Sequence, residues 1–240
     1  MAEQGIIYQR KLWIGAYQLL YVQALRVATE VAGQDDTIMG DTGRSEAAGL
    51  EVPALEAAGL MGFDTADPDP VIATARALSE VPVTIGALAG ADGERAYFFH
   101  ARSAGYQVGG PVGEMARYDA SARGRGHPLI PGWILRNAQV SATGNGTAYQ
   151  LGAVGASQKL YGVLHVVERT GDRTLTAIIQ SDISGFGTPT TRITFAQQSA
   201  IGYEYATPVA GAITDDYWRT AWTIGGTTGT ITAIVAMGIR

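Results

Sequence analysis

The sequence predicts a mainly β chain in two parts, with one short helix. Three observations predict it. Apolar residues recur at period two through most of the chain, which is the pattern of strands. The 32 glycines among 240 residues supply turns and close backbone approaches. Composition also changes once, near 141–147. Six threonines precede that point and seventeen follow it, and the net charge is −5 before it and zero after. The Asn-Gly turn chemistry of Gly144-Asn145-Gly146 marks the boundary. The expected units are therefore 1–143 and 147–240.

In the first unit, Tyr17, Leu19, Tyr21, Leu25 and Val27 alternate with Gln18, Leu20 and Val22, which predicts one strand over 17–27. The stretch Val31–Gly49 has no sustained period, so a long loop is expected at about 31–50. Asp69-Pro70 then opens Val71, Ala75 and Leu78 at helical spacing. Asp69 suits the N-cap, Pro70 the first helical position, and Pro82 closes the helix, at about 70–79. Pro82–Leu88 and Glu94–Ser103 form a hairpin through Gly90-Ala91-Asp92-Gly93. Tyr106–Gly126 forms another, turning at Gly109-Gly110-Pro111.

In the second unit, Leu160, Gly162, Leu164 and Val166 alternate with Tyr161, Val163, His165 and Val167. Leu175, Ala177 and Ile179 alternate with Thr174, Thr176 and Ile178. Trp218, Thr220, Trp222 and Ile224 share one face of a strand, and Ile231, Ala233, Val235, Met237 and Ile239 share a face of the last. Half-buried antiparallel strands at short spacing predict a sandwich.

The composition excludes several functions. There is no cysteine, so no disulfide framework or thiolate metal site is expected. No apolar run is long enough to span a bilayer, and Met1–Gly5 has no signal-segment character. An acidic, arginine-poor chain is a poor candidate for tight nucleic-acid binding.

No motif carries catalysis. His100, His127 and His165 are far apart in the sequence, and there is no Gly-x-Ser-x-Gly elbow for a serine triad. Asp64, Asp67 and Asp69 resemble a cation site only superficially, because no glutamate completes a binding loop and Asp69 is expected to cap a helix. Asp35-Asp36 and Asp215-Asp216 are no stronger. Gly144-Asn145-Gly146 lacks the Lys-Ser/Thr of a phosphate loop. No metal, cofactor or enzymatic activity is expected. Trp218 and Trp222 are expected in a core; the rival reading is a platform that stacks on a sugar ring.

The order of motifs resembles a known family. A strand pair is followed by Thr37-Ile38-Met39-Gly40-Asp41-Thr42-Gly43-Arg44 and Gly49-Leu50, then by the helix, the Pro82 strand, Tyr97-Phe98-Phe99 and Tyr106…Gly109-Gly110-Pro111-Val112-Gly113-Glu114. This is similar to the major tail (tail tube) proteins of long-tailed phages with non-contractile tails. The second unit, through Tyr149–Gly155, Ile179-Gln180-Ser181-Asp182, Thr191–Phe195 and Asp216-Tyr217-Trp218-Arg219, resembles a C-terminal sandwich found in some of them. Val52-Pro53-Ala54-Leu55-Glu56-Ala57-Ala58 departs from the polar, alternating strand that the family has there.

The resemblance implies a tail-tube-type β-sandwich or barrel with an added antiparallel β-sandwich. It implies a structural virion protein whose hexameric rings stack head to tail into a hollow tube for DNA ejection. Tape-measure and tail-terminator proteins would be partners. DNA would pass through the lumen without specific binding, and the outer unit could touch glycans weakly. Assembly would occur in the host bacterial cytoplasm and the product would sit in the virion tail, with no membrane contact. Alternatives are a capsid or neck decoration protein, or a carbohydrate-binding module on the virion surface.

Charge falls in blocks. Glu30–Asp69 holds ten acids against Arg44 alone, a net −9. Arg95–Arg136 holds six arginines against Glu114 and Asp119, a net +4. Complementary patches fix register between partners. The expected inter-ring loop carries Asp35, Asp36, Thr37, Gly40, Asp41, Arg44 and Glu46. The expected basic interface carries Arg95, Arg102, Arg117, Arg123 and Arg125.

Overall fold

A computed structural model describes residues 11–35, 46–64, 67–77 and 80–240. It is mainly β, as the periodicity predicts, with one helix among the described residues, α1 (Pro68–Ala77). The first part of the chain forms β1 (Lys11–Ile14), β2 (Tyr17–Leu19), β3 (Val22–Asp35), β4 (Glu46–Leu60), β5 (Val81–Gly86), β6 (Arg95–Gly109), β7 (Arg117–Gly124) and β8 (Ile130–Val140). The second forms β9 (Gly144–Asn145), β10 (Tyr149–Gln150), β11 (Lys159–Arg169), β12 (Thr174–Asp182), β13 (Thr190–Thr194), β14 (Gly202–Tyr205), β15 (Val209–Ala210), β16 (Tyr217–Gly225) and β17 (Ile231–Ile239).

Two antiparallel sheets result. The large one runs β14-β11-β17-β8-β6-β5-β1-β2, and β7, β4 and β3 branch from β6. The small one runs β10-β16-β12-β13. β8 pairs β17 from Gly132↔Gly238 to Val140↔Ile231, so one sheet passes through both parts of the chain. Over β8, β11 and β17 its outer face is covered by the small sheet. There Leu135, Leu164, Val235 and Met237 pack against Ile179, Phe195, Trp218 and Trp222. Gly162 permits that approach: a Cβ there would lie 2.8 Å from Ile193 and 2.9 Å from Ile179. Over β1, β5 and β6 the same face is covered by α1, β4 and β7, through Val71, Ile72, Leu55 and Tyr118.

The opposite face turns inward on itself. Phe98, Ile130, Val163 and Ala236 form one inner cluster, and Trp13, Ala96, Ile134 and Ile234 another. His165 on β11 closes the curl. Its Nδ1 donates to the Gly15 carbonyl at 2.6 Å, and its Nε2 accepts from the Thr84 hydroxyl at 2.7 Å. The carbonyl can only accept, so the proton is on Nδ1. Gly15 presents that carbonyl from a left-handed turn, φ +57°. His165 and Thr84 are fully buried, and burial pulls the imidazole pKa down to about 4, against a raising effect of the Gly15 bond.

The structure corrects several expectations. The loop at 31–50 is shorter, because β3 continues to Asp35 and β4 resumes at Glu46. Residues 36–45 lie outside the described residues. The strand expected over 17–27 is broken at Tyr21, which has φ +55°. The helix begins at Pro68, not Pro70, and Asp67 holds the cap position, its carbonyl accepting the first helical bond from Val71 at 3.3 Å. Asp69 instead accepts from the Tyr106 hydroxyl at 2.5 Å. Gly144 and Asn145 pair with Trp222 and Ala221 as a short strand, where sequence suggested a turn. β11 is buried on both faces from Leu160 to Val166, not half-buried, because the inward curl covers its second face.

His165 makes stability pH-dependent. Its folded pKa lies below the unfolded value of 6.5, so the unfolded chain binds the extra proton between the two. Its contribution is whole above pH 6.5 and falls by about 3 kcal/mol as pH drops to about 4. Urea midpoints measured across that range should fall accordingly, and His165→Leu, which strands Thr84 and Gly15, should cost about 2–4 kcal/mol at pH 7.

Candidate functional site

The β3–β4 hairpin reaches beyond the cover that the rest of the chain provides. β3 pairs with β4 alone; β4 pairs onward with β7, and β7 with β6. The register sets four-residue rows across this sheet. One row is Leu25, Ala57, Ala120 and Tyr106. The next is Arg26, Glu56, Ser121 and Gly105, and Ala28, Ala54, Arg123 and Arg102 form another. One face carries Leu25, Leu55, Ala57 and Ala122 and packs toward Val71 and Ile72 of α1. The opposite face is an open groove of about 590 Å³, floored by Ala24, Ala58, Gly105 and Ser121.

Neither outer edge of this sheet has a further strand beside it among the described residues. β3 runs for fourteen residues with β4 on one side and no described strand on the other. β5 accompanies β6 only to Ala101, so 102–109 has β7 on one side and no strand on the other among the described residues. Pro53 fits this layout. β4 pairs with β7 only from Ala54 to Leu60, so Pro53, which has no N–H to donate, stands where β4 leaves its second partner. The departure from family pattern at 52–58 is thus an unbroken strand.

The structure divides the expected basic interface. Arg125 is paired with Glu80 at 3.2 Å, and the Arg95 guanidinium lies over the Trp133 ring at 4.4 Å. Arg136 bonds Asp92 at 3.1 Å. Arg102, Arg117 and Arg123 are exposed and make no ion pair among the described residues. Arg102 and Arg123 stand directly opposite each other on the groove face, an arrangement of like charges that costs stability.

The acidic block divides too. Glu51 is held by Arg240, whose guanidinium bonds its carboxylate and, with the Leu129 amide, lowers its pKa against the effect of burial. Glu56 faces Arg26 at 3.8 Å, an exposed pair of little strength. Glu30 is exposed and has no ion pair among the described residues. Asp35 and Glu46 meet at the last register position of the hairpin; Asp36, Thr37, Gly40, Asp41 and Arg44 lie outside the described residues.

Other candidates resolve as structure. His100 and His127, distant in sequence, lie 6.0 Å apart between ring centroids and both stack on Tyr205, at 5.1 and 5.0 Å. Burial lowers the His100 pKa, opposed by Glu80 and reinforced by His127. Asp215 accepts from Ser181 at 2.6 Å and Arg192 at 2.9 Å, and Asp216 accepts from Gln150 at 2.7 Å. Among the described residues no three acidic or histidine side chains converge as a metal site. Trp218 is fully buried and Trp222 nearly so. Their indole N–H groups donate to Gly152 and Ala142 carbonyls, so that face offers no surface for stacking a sugar.

No family model matches the chain, and no curated protein does. Among solved structures, a chain in the virion of a native gene transfer agent particle aligns at 15% identity and TM-score 0.38, over 49% of this chain and 92% of that one. The SPP1 Dit protein, described as a paradigm of the hub adsorption apparatus in phages infecting Gram-positive hosts, aligns at 12% identity and TM-score 0.36. That alignment covers 97% of this chain and all of the other. Likeness at this level identifies neither a family nor a function.

The opposed arginines make a prediction for the unassembled chain. Arg102→Gln should stabilise the monomer by about 0.2–1 kcal/mol by removing repulsion from Arg123. Urea denaturation at low ionic strength measures it, and added salt should shrink the difference.

Proposed function

We propose that the chain is a structural subunit of a phage-type tail, a tail tube protein that closes into rings and stacks them into a hollow conduit. The observation that carries this reading is the four-stranded sheet with no further strand beside either edge among the described residues. Both edges carry bulges, at Val22/Ala24 and Val31/Gly33 on β3 and at Ser103/Gly105 on β6, yet no strand covers their length among the described residues, as one would in a protein that stays alone. A repeated subunit pairs them instead: β3 of one copy beside 102–109 of the next continues the sheet in the same antiparallel sense. The contact is head-to-tail, so copies related by rotation close a ring. The order of motifs around Thr37–Arg44 and Gly109–Glu114 supports the tail tube assignment and its hexameric ring.

The groove face, opposite α1, would line the lumen, and the sandwich built on β11, β12, β16 and β17 would sit outside. Stacking is supported by exposed apolar residues at both ends of the same sheet. Tyr21, Phe63, Val112 and Met115 are exposed at one end, and Val31 and Leu50 at the other. Tape-measure and tail-terminator proteins would meet the tube, and DNA would pass through it without specific binding.

Purified protein viewed by electron microscopy as concentration rises should form rings and hollow rods. Persistent monomers at all concentrations would contradict the reading. Val112→Asp combined with Met115→Asp, both solvent-facing in the monomer, should leave rings that do not elongate.

A further inference from the structure

We propose that Glu30 of one copy pairs with the Arg102–Arg123 pair of its neighbour and thereby sets the stagger at which the ring closes. This rests on the ring reading above and names the contact that fixes its register.

The parts lie on opposite edges of one sheet. Ala28, Ala54, Arg123 and Arg102 form a single row across β3, β4, β7 and β6. Arg102 is on the β6 edge and Ala28 on the β3 edge. Glu30 is two residues beyond Ala28, so it shares the groove face. Arg26 is two residues before Ala28 and also shares that face. Arg26, Glu30 and Arg102 are exposed.

Closing a sheet into a barrel requires tilted strands, and hence a stagger between the first strand and the last. Side chains repeat on a face every second residue, so the stagger between copies changes in steps of two. With no stagger, Arg102 faces the neighbour's Ala28. Two residues one way bring Glu30 opposite Arg102. Two residues the other way bring Arg26 opposite Arg102, like charge against like. One register is favoured by attraction and its mirror is disfavoured by repulsion, the two-sided device by which interfaces gain specificity.

The monomer supplies the second half of the argument. Arg102 and Arg123 are opposed without an acid between them, and Glu30 has no ion pair among the described residues. A charge pattern unfavourable in one copy and complementary between two copies belongs to an interface between copies. Offsetting part of the Arg102 and Arg123 charge in this way would also suit a lumen, where unpaired arginines would hold DNA phosphates by counterion release.

Charge reversal tests it in the full chain. Glu30→Arg and Arg102→Glu should each raise the critical concentration for ring formation at least tenfold, read by sedimentation velocity, with unchanged circular dichroism. The double variant E30R/R102E should return it to within about threefold of the parent value. Singles that assemble like the parent, or a double that stays monomeric, would overturn the pairing while leaving ring closure intact. A parent chain that forms no rings would overturn the ring reading itself. Because the chain has no cysteine, Glu30→Cys/Arg102→Cys gives an independent geometric check. These positions are three strand spacings and one same-face step apart in one copy, more than about 14 Å, too far for an internal disulfide. Oxidation should therefore give a ladder of linked copies, and oxidised monomer alone would overturn the proposal.

Discussion

Strand edges with no further strand beside them among the described residues, along β3 and the distal half of β6, are the constraint on which the rest of the account depends. Every strand needs partners for its N–H and C=O groups, and water serves that need on an edge at the risk of indiscriminate pairing. The other sheet ends, at β2, β10, β13 and β14, are short strands of two to five residues. The large sheet curls until β11 reaches the turn after β1, and His165 bridges Gly15 and Thr84 there. The branch through β7, β4 and β3 has no such return. Its core face is anchored by α1, so the branch is rigid enough to present two edges in fixed geometry.

That division of labour explains the chain's composition. Its charged fraction is 16%, lower than a typical soluble domain. Much of the surface near the hairpin is alanine, glycine or exposed apolar side chain, which suits surfaces that meet copies of themselves. Some of the remaining charges are matched inside one copy, as Arg125 is with Glu80 and Arg240 with Glu51. Glu30, Arg102, Arg117 and Arg123, which make no ion pair among the described residues, lie on the open branch.

Apolar periodicity and turn chemistry made some elements legible in the sequence and left others hidden. β17 was legible because Ile231, Ala233, Val235 and Met237 face one core while the alternate residues face another. The β5–β6 hairpin was legible through its turn chemistry. The β3–β4 arm was not, because Val31-Ala32-Gly33-Gln34-Asp35 carries no apolar alternation in the sequence. Its residues at 31–35 therefore read as loop. The burial of both faces of β11 was hidden for the opposite reason. Its run of apolar residues fits both a half-buried strand and a fully buried one until the curl is known.

The site was legible in kind but not in detail. Charge blocks pointed to a basic and an acidic surface, but proximity in sequence grouped arginines that the fold separates. Arg95, Arg125 and Arg136 have local partners, and only cross-strand register reveals that Arg102 opposes Arg123. The same holds for His100 and His127, which the fold brings together around Tyr205. The central claim, that these edges are completed by copies of the chain, is tested most directly by amide hydrogen exchange on monomer and assembled protein. The account predicts that alternate amides of β3 and of 102–109 exchange freely in the monomer and become protected in the assembly. Equal exchange in both states at these positions would contradict it.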